Sequence, residues 1–391
     1  MIIKNMIREN VYKFPPSGIR KYFDLINEMQ DVISLGIGEP DFVTPWNVRE
    51  AGIYSLEKGH THYSSNAGYI ELRREISSFV DRKYDLSYNP KDEILVTVGG
   101  SEGIDIAIRA LAGPGDEVVI PEPSFVAYKG CTAFTGATPV TINLRNEDEF
   151  KLTPELLEGA ITEKTKVVIL PFPNNPTGAV MSREELAKIV EVLKDKDIFV
   201  ISDEIYSELS YGGKHVSIAS FPEMKDKTLV INGFSKAFAM TGWRLGYACG
   251  HKDLISQMNK IHQYAIMCAP TTSQLAAIEA LKSCDDDVEE MVKEYNRRRR
   301  VLVNGFRSIG LDCFEPKGAF YVFPSIKSTG LSSEEFCERL LKEQQVLVIP
   351  GNAFGDCGEG FIRACYASSM ENINEAINRI GKFLEGLCIN S

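Results

Sequence analysis

The sequence predicts an α/β protein, with a large domain built on a mostly parallel, seven-stranded sheet and a smaller α+β domain. Three observations lead there. Between about residues 94 and 250, seven short apolar runs alternate with helix-like segments. Those runs are continuously apolar, as strands covered on both faces are, rather than alternating apolar with polar. Beyond about residue 308 the alternation stops, and 391 residues are more than one simple core organises. The division this suggests is an N-terminal arm with part of the small domain over 1–45, the large domain over 46–280, and the small C-terminal domain over 281–391. No Pro/Gly/Ser-rich linker marks a cut.

The seven runs are Ile94 to Val98, Glu117 to Ile120, Pro139 to Ile142, Lys166 to Leu170, Ile198 to Ser202, Thr228 to Ile231 and Leu245 to Cys249. Between them, Ser101 to Leu111 gathers Ile104, Ile106, Ala107 and Leu111 as a helix would. Arg183 to Lys194 places Leu186, Ile189, Val190 and Leu193 on one helical face. A long segment around 273–308 follows. Then "KGAFYVFPS", "VLVIPG" and "GFIRACYA" read as strands, with helices near 332–343 and 370–386.

A net charge of −11 argues against nucleic acid or an anionic membrane as the main partner. The one basic run, Arg297 to Arg300, sits in a helical segment whose first turn is acidic (Asp285, Asp286, Asp287), the arrangement of a solvated helix aligned with its dipole. Nine cysteines form no CxxC pair, and an odd count spread over a long chain implies free, mostly buried thiols in a reducing compartment. The first sixteen residues lack the apolar core of a secretory signal, and no stretch nears the ~18 apolar residues of a membrane span. A cytoplasmic protein is expected. No repeats or metal-ligand spacings occur.

In a parallel sheet, ligands bind beyond the carboxyl ends of the strands, so the loops there carry the chemistry. After the first run, "GGSEG" (99–103) leads into a helix. Its Gly100, Ser101 and Glu102 read either as an ordinary turn and cap, or as an anion cradle of backbone N–H groups and a hydroxyl. After the fourth, "PFPNNPTG" (171–178) is a plain turn or a loop whose two side-chain amides, one of them Asn175, can donate to a ligand oxygen. After the fifth, Asp203 ends an otherwise apolar strand. It either caps a following helix or is a buried carboxylate facing a cationic ring nitrogen, with Tyr206 one helical turn on. After the sixth come Ser235, Lys236 and Arg244. Lysine is rarely buried without a partner; beside cations it gives up its proton and becomes a nucleophile, while arginine suits a phosphate dianion.

The motifs "NNPTG", "SDEIY" and "GFSKAFAMTGWRLGY", in this order, resemble the class I/II aminotransferases of pyridoxal-phosphate fold type I. The resemblance runs over nearly the whole chain, from "ISLGIGEPDF" (33–42) through "HYSSNAGYIELR" (62–73) to "FIRACYA" (361–367). It implies that the large domain binds pyridoxal phosphate and that Lys236 carries the cofactor covalently and serves as the base. Asp203 would bind the ring nitrogen, Asn175 and Tyr206 the 3-oxygen, and Phe125 would stack on the ring. Gly100, Ser101 and Glu102 (mainly by backbone), Ser235 and Arg244 would hold the phosphate. Tyr63 would reach the phosphate of a neighbouring subunit, which implies a homodimer with shared active sites. Arg363 would clamp the substrate α-carboxylate, with Gly38 lining the site by its backbone.

The reaction implied is transfer of an amino group from an L-amino acid to a 2-oxo acid, the 2-oxoglutarate/glutamate pair being the expected acceptor. Lys236 would move the substrate Cα proton, its amine deprotonated near neutral pH by cationic neighbours. "SGIRKY" (17–22), "HQYAIMCAPTTSQ" and "GAFYVFPSIKSTG" look most like bacterial enzymes of the aspartate/aromatic subgroup, similar to the N-acetyl-diaminopimelate aminotransferase type. No second cation for a distal carboxylate stands out. The alternatives are a pyridoxal-phosphate β-lyase acting on cystathionine or cysteine conjugates, and a non-catalytic regulator, for which the charge is too negative.

Overall fold

The computed structural model of the protein describes residues 6–16, 18–19 and 31–389. Of "SGIRKY", only Gly18 and Ile19 fall within that range. A short helix α1 (Glu9–Lys13) and strand β1 (Ile33–Ser34) precede helices α2 (Trp46–Glu57) and α3 (Ile70–Tyr84). The alternating region follows: β2 (Ile94–Thr97), α4 (Gly99–Leu111), β3 (Glu117–Glu122), α5 (Ala127–Thr135), β4 (Thr138–Asn143), α6 (Pro154–Ala160), β5 (Thr165–Leu170), α7 (Arg183–Leu193), β6 (Phe199–Asp203), β7 (Thr228–Gly233) and β8 (Gly246–Cys249). Helices α8 (Lys252–Ala265), α9 (Thr271–Ser283) and α10 (Asp285–Ser308) lead to β9 (Tyr321–Val322), α11 (Ser333–Gln344), β10 (Val346–Leu347), β11 (Ile349–Pro350), β12 (Ile362–Cys365) and α12 (Met370–Ile389).

All seven apolar runs are strands of one sheet, in the order β2-β8-β7-β6-β5-β3-β4. Only β8 runs against the others. Their continuous apolarity has the expected cause, because successive side chains point to opposite faces and both faces are covered. Val96, Val119, Val168, Val200 and Val230 enter one buried cluster, and Leu95, Val118, Val167, Ile201 and Leu229 the other. Helix α7 covers the first face with Leu186, Ile189, Val190 and Leu193, and its start is fixed by a reciprocal Ser182–Glu185 capping box. Helix α4 covers the second with Ile104, Ile106, Ala107 and Ile108, while Leu111 stays only partly buried.

The C-terminal part holds a three-stranded antiparallel sheet, β11-β12-β9. Strand β1 pairs in parallel with β10, tying residues 33–34 to that part of the chain. The basic run departs from the solvated helix expected of it. Arg298 and Arg299 are buried, and each is paired: Arg298 Nη1 donates to both carboxylate oxygens of Asp41 at 2.8–2.9 Å, and Arg299 reaches Glu315 at 2.7 Å. An aligned dipole governs only exposed charges; these two guanidiniums tether segments packed on α10. Eight cysteines are free thiols, five of them buried; the Cys388 side chain lies outside the described residues. Among the described residues, no helix is long and apolar enough to cross a membrane.

Candidate active site

The carboxyl ends of β2, β3, β5, β6 and β7 open on one cavity of about 710 Å³. Its wall brings together Gly38, Gly100, Ser101, Phe125, Asn175, Asp203, Tyr206, Ser235, Lys236, Arg244 and Arg363. Glu102 and Tyr63 are not on it. The Glu102 carboxylate turns away, accepting the Val98 N–H at 2.5 Å and facing His262 Nδ1 at 2.8 Å, so only its backbone stays in the first turn of α4. Tyr63 is 80% exposed and serves no group of its own chain's cavity.

The anion end is built from backbone. Helix α4 begins at Gly99, not after the glycines, so Gly100 and Ser101 lie in its first turn, where N–H groups have no partner within the helix. Gly99 has a left-handed φ of +73°, and a Cβ there would lie 2.6 Å from the Arg244 guanidinium. The glycine therefore lets the arginine lie against the helix start. Arg244 itself adopts a φ of +53° and donates to the Thr241 carbonyl at 2.9 Å.

At the other end Asp203 is buried. Its Oδ2 accepts from the Tyr128 hydroxyl at 2.6 Å and its Oδ1 from the Ile205 N–H at 3.2 Å. No helix follows it; residues 205–208 form turns, and Tyr206 reaches the cavity from there. Burial raises the Asp203 carboxyl, opposed first by the Tyr128 hydrogen bond. The two adjacent amides divide their work. Asn174 ties its own turn through Thr177, while Asn175 Oδ1 accepts from Arg363 at 2.9 Å.

Lys236 Nζ donates to the Gly38 carbonyl at 2.6 Å and lies over the Tyr206 and Phe320 rings. Its ammonium is pushed down to about 8. The motif points to neighbouring cations as the source of that shift; burial is the larger cause, with Arg363 and then Arg244 adding to it. Arg363 is buried in β12, donates to the Gly36 carbonyl at 2.6 Å, and is sandwiched by Tyr321 and Phe354. Its Nε is buried with no partner. The cavity wall thus carries three cations (Lys236, Arg244, Arg363) against two carboxylates (Glu39, Asp203), a balance that suits anionic ligands.

Tyr128 and Tyr321 are among the wall residues that the sequence reading leaves without a role. Tyr128 follows Phe125 by three positions, a helical spacing that could have flagged it. Tyr321 hydrogen-bonds Tyr206 at 2.9 Å and closes over Gly38, where any Cβ would meet its hydroxyl. Only the β9–β12 pairing, with Tyr321 opposite Cys365, places it beside Arg363.

A phosphorylated ring cofactor fits these residues: an anion cradle with an arginine at one end, a buried carboxylate acceptor at the other, and an amine of lowered basicity with an unfilled guanidinium edge nearby. Fold and cavity are those of an enzyme that works on amines through a phosphorylated carbonyl cofactor. The family profile of aminotransferase class I and II matches residues 30–380. YugH of Bacillus subtilis (strain 168), provisionally named an aminotransferase, is 54% identical over 378 residues, 97% of this chain and 98% of its own. A Bacillus subtilis protein named as a probable N-acetyl-LL-diaminopimelate aminotransferase is 42% identical over 98% of this chain and 96% of its own. Among solved structures, the Thermus thermophilus aspartate aminotransferase with maleate superposes with a TM-score of 0.92 at 36% identity, covering 96% of this chain and 99% of that one. The chain belongs to the class I and II aminotransferase family; it is a pyridoxal-phosphate-dependent aminotransferase, and none of these relatives favours the β-lyase alternative.

Proposed function

We propose that the protein moves the amino group of an L-amino acid to 2-oxoglutarate, in a homodimer, with Arg363 as the reader of the α-carboxylate. The observation that carries this is the buried Arg363 guanidinium, stacked between two rings, with an edge nitrogen left without a partner. An unpaired buried donor is costly unless a ligand completes it. A carboxylate completes it in a fork-to-fork pair.

The cofactor, when bound, supplies the carbonyl that accepts the amino group and the ring that spreads the electron pair. The chain supplies the rest. Gly100, Ser101, the Glu102 backbone, Ser235 and Arg244 hold the phosphate; Asp203 keeps the ring nitrogen charged; Asn175 and Tyr206 bond the 3-oxygen; Phe125 stacks on the ring. Lys236 bears the cofactor and then, as a free amine, takes the Cα proton at Nζ. With its basicity lowered to about 8, a useful fraction of that amine is neutral near pH 7.5. Arg363 and Asn175 fix the substrate so that the Cα–H bond stands at the lysine.

The dimer reading is supported by exposed apolar side chains: Trp46, Tyr54 and Leu56 on α2, then Tyr63, Tyr264 and Met267. The loop bearing Tyr63 is joined to the 264–267 segment by Asn66 donating to the Met267 carbonyl at 2.7 Å. A second copy covering this face gives Tyr63 a phosphate to bind. Donor class follows the relatives' names, which include aspartate and aromatic-amino-acid aminotransferases of Pyrococcus horikoshii and Thermococcus litoralis, at 44% and 42% identity. A screen of aspartate, aromatic and diaminopimelate-type donors against 2-oxoglutarate, read as glutamate formed, tests the reading. Pyruvate and ammonia from cystathionine, with no glutamate from any donor, overturns it.

A further inference from the structure

We propose that Tyr128 is a positioning residue that acts through Asp203, setting how the proton is held between that carboxylate and the cofactor's ring nitrogen. This rests on the reading that Asp203 faces that nitrogen. Tyr128 comes from α5, on the wall that also supplies Phe125, and Asp203 from the end of β6, 75 positions along the chain. Both are almost fully buried, at 2% and 6% exposure. The 2.6 Å separation is that of a hydroxyl donating to a charged carboxylate.

A phenol has one proton to give, and here it goes to Oδ2. The Ile205 N–H at 3.2 Å is a weaker donor to Oδ1. Burial favours the neutral acid. Against it, the Tyr128 hydroxyl is the strongest influence, ahead of the Ile205 amide and of Lys236. Remove the hydroxyl and the carboxylate becomes more basic, so it draws the shared proton away from the ring nitrogen. A ring that holds its proton less firmly is a poorer electron sink. The Tyr128 ring also meets Phe125 edge-on at 5.7 Å, so the wall that faces the ring plane and the group that faces its nitrogen are braced by one side chain.

Tyr128→Phe keeps that ring and its packing and removes one oxygen. Wild type, Tyr128→Phe, Asp203→Asn and the double variant are loaded with ring-¹⁵N-labelled pyridoxal phosphate, and the nitrogen resonance and cofactor dissociation constant are measured. In Tyr128→Phe the resonance should move from the protonated toward the unprotonated pyridine position. Its dissociation constant should rise about 10- to 100-fold, the worth of one hydrogen bond to a charged group. In the Asp203→Asn background, Tyr128→Phe should change neither quantity further, because the hydroxyl has lost its charged acceptor. If Asp203→Asn leaves the resonance in place, the reading of Asp203 is wrong. If Asp203→Asn moves it and Tyr128→Phe does not, or if the two effects add, the inference about Tyr128 is wrong while that reading stands. A role in packing alone would change the melting temperature of Tyr128→Phe and leave the nitrogen untouched.

Discussion

Removing the Lys236 ammonium from the cofactor-free protein, by Lys236→Met, tests how the cavity treats charge. The ammonium falls from an ordinary value of 10.5 to about 8, mainly through burial. The folded state therefore holds this proton less tightly than the unfolded chain does. Below about pH 8 both states are protonated and the fold bears the full penalty. Between pH 8 and 10.5 the penalty fades as the folded state sheds the proton first, and above 10.5 it is gone. At 1.36 kcal/mol per pH unit, the span from 10.5 to about 8 corresponds to roughly 3 kcal/mol. Against this, the variant loses the hydrogen bond to the Gly38 carbonyl at every pH, about 1 kcal/mol. Cofactor-free Lys236→Met should thus be more stable than wild type by about 2 kcal/mol near pH 7, with the gap closing at about pH 10 and reversed above it. Urea unfolding followed by tryptophan fluorescence, at one protein concentration because subunit association adds to apparent stability, measures it. Only the difference between the two proteins at each pH is read, which cancels the other titrating groups. A gap that stays flat from pH 6.5 to 10.5 would refute the account of Lys236.

Three more outcomes are expected. Arg363→Lys keeps the charge but loses the planar fork, so kcat/KM should fall about 10- to 1000-fold for every amino and oxo acid alike. Cofactor binding should stay nearly intact, and a selective loss for one donor, or loss of the cofactor, argues for another role. Tyr63→Ala and Lys236→Ala, each inactive alone, should regain part of the activity when mixed and reassembled, because a mixed dimer contains one site with both native residues; light scattering that finds a monomer at assay concentration excludes this. Arg298→Met should lower stability by about 1–3 kcal/mol, since it strands Asp41 beside a buried stem. It should also raise the KM for amino acids, because Asp41 anchors the segment whose Gly36 and Gly38 carbonyls hold Arg363 and Lys236. Melting curves and steady-state kinetics check both parts, and an unchanged KM in a destabilised variant would separate that tether from the site.

The seven strands were legible because a sheet covered on both faces demands unbroken apolar runs, and regularly spaced runs of that kind have few other uses in a chain this size; the ends differ from expectation by a residue or two. The site loops were legible because the turn chemistry of "PFPNNPTG" and the placement of Ser235, Lys236 and Arg244 after an apolar strand are local facts. So is Arg363, whose charge in an apolar strand announces a partner. Three things were not local. The helix expected after Asp203 is a set of turns, since Tyr206 must reach back to Tyr321 on a strand 115 positions away. Arg298 and Arg299 look like surface charge along one helix, yet Asp41 and Glu315 approach them from other parts of the chain and bury them. The basicity of Lys236 was traced to its cationic neighbours, which the motif displays, whereas burial, the larger cause, depends on every segment that closes the cavity. Composition and periodicity act through neighbours a few residues apart, so the chain alone determined the elements, their order and the chemical types gathered at the strand ends. Desolvation, and hydrogen bonds such as that from Tyr128 to Asp203, depend on which distant segments meet, and only the tertiary structure decided those.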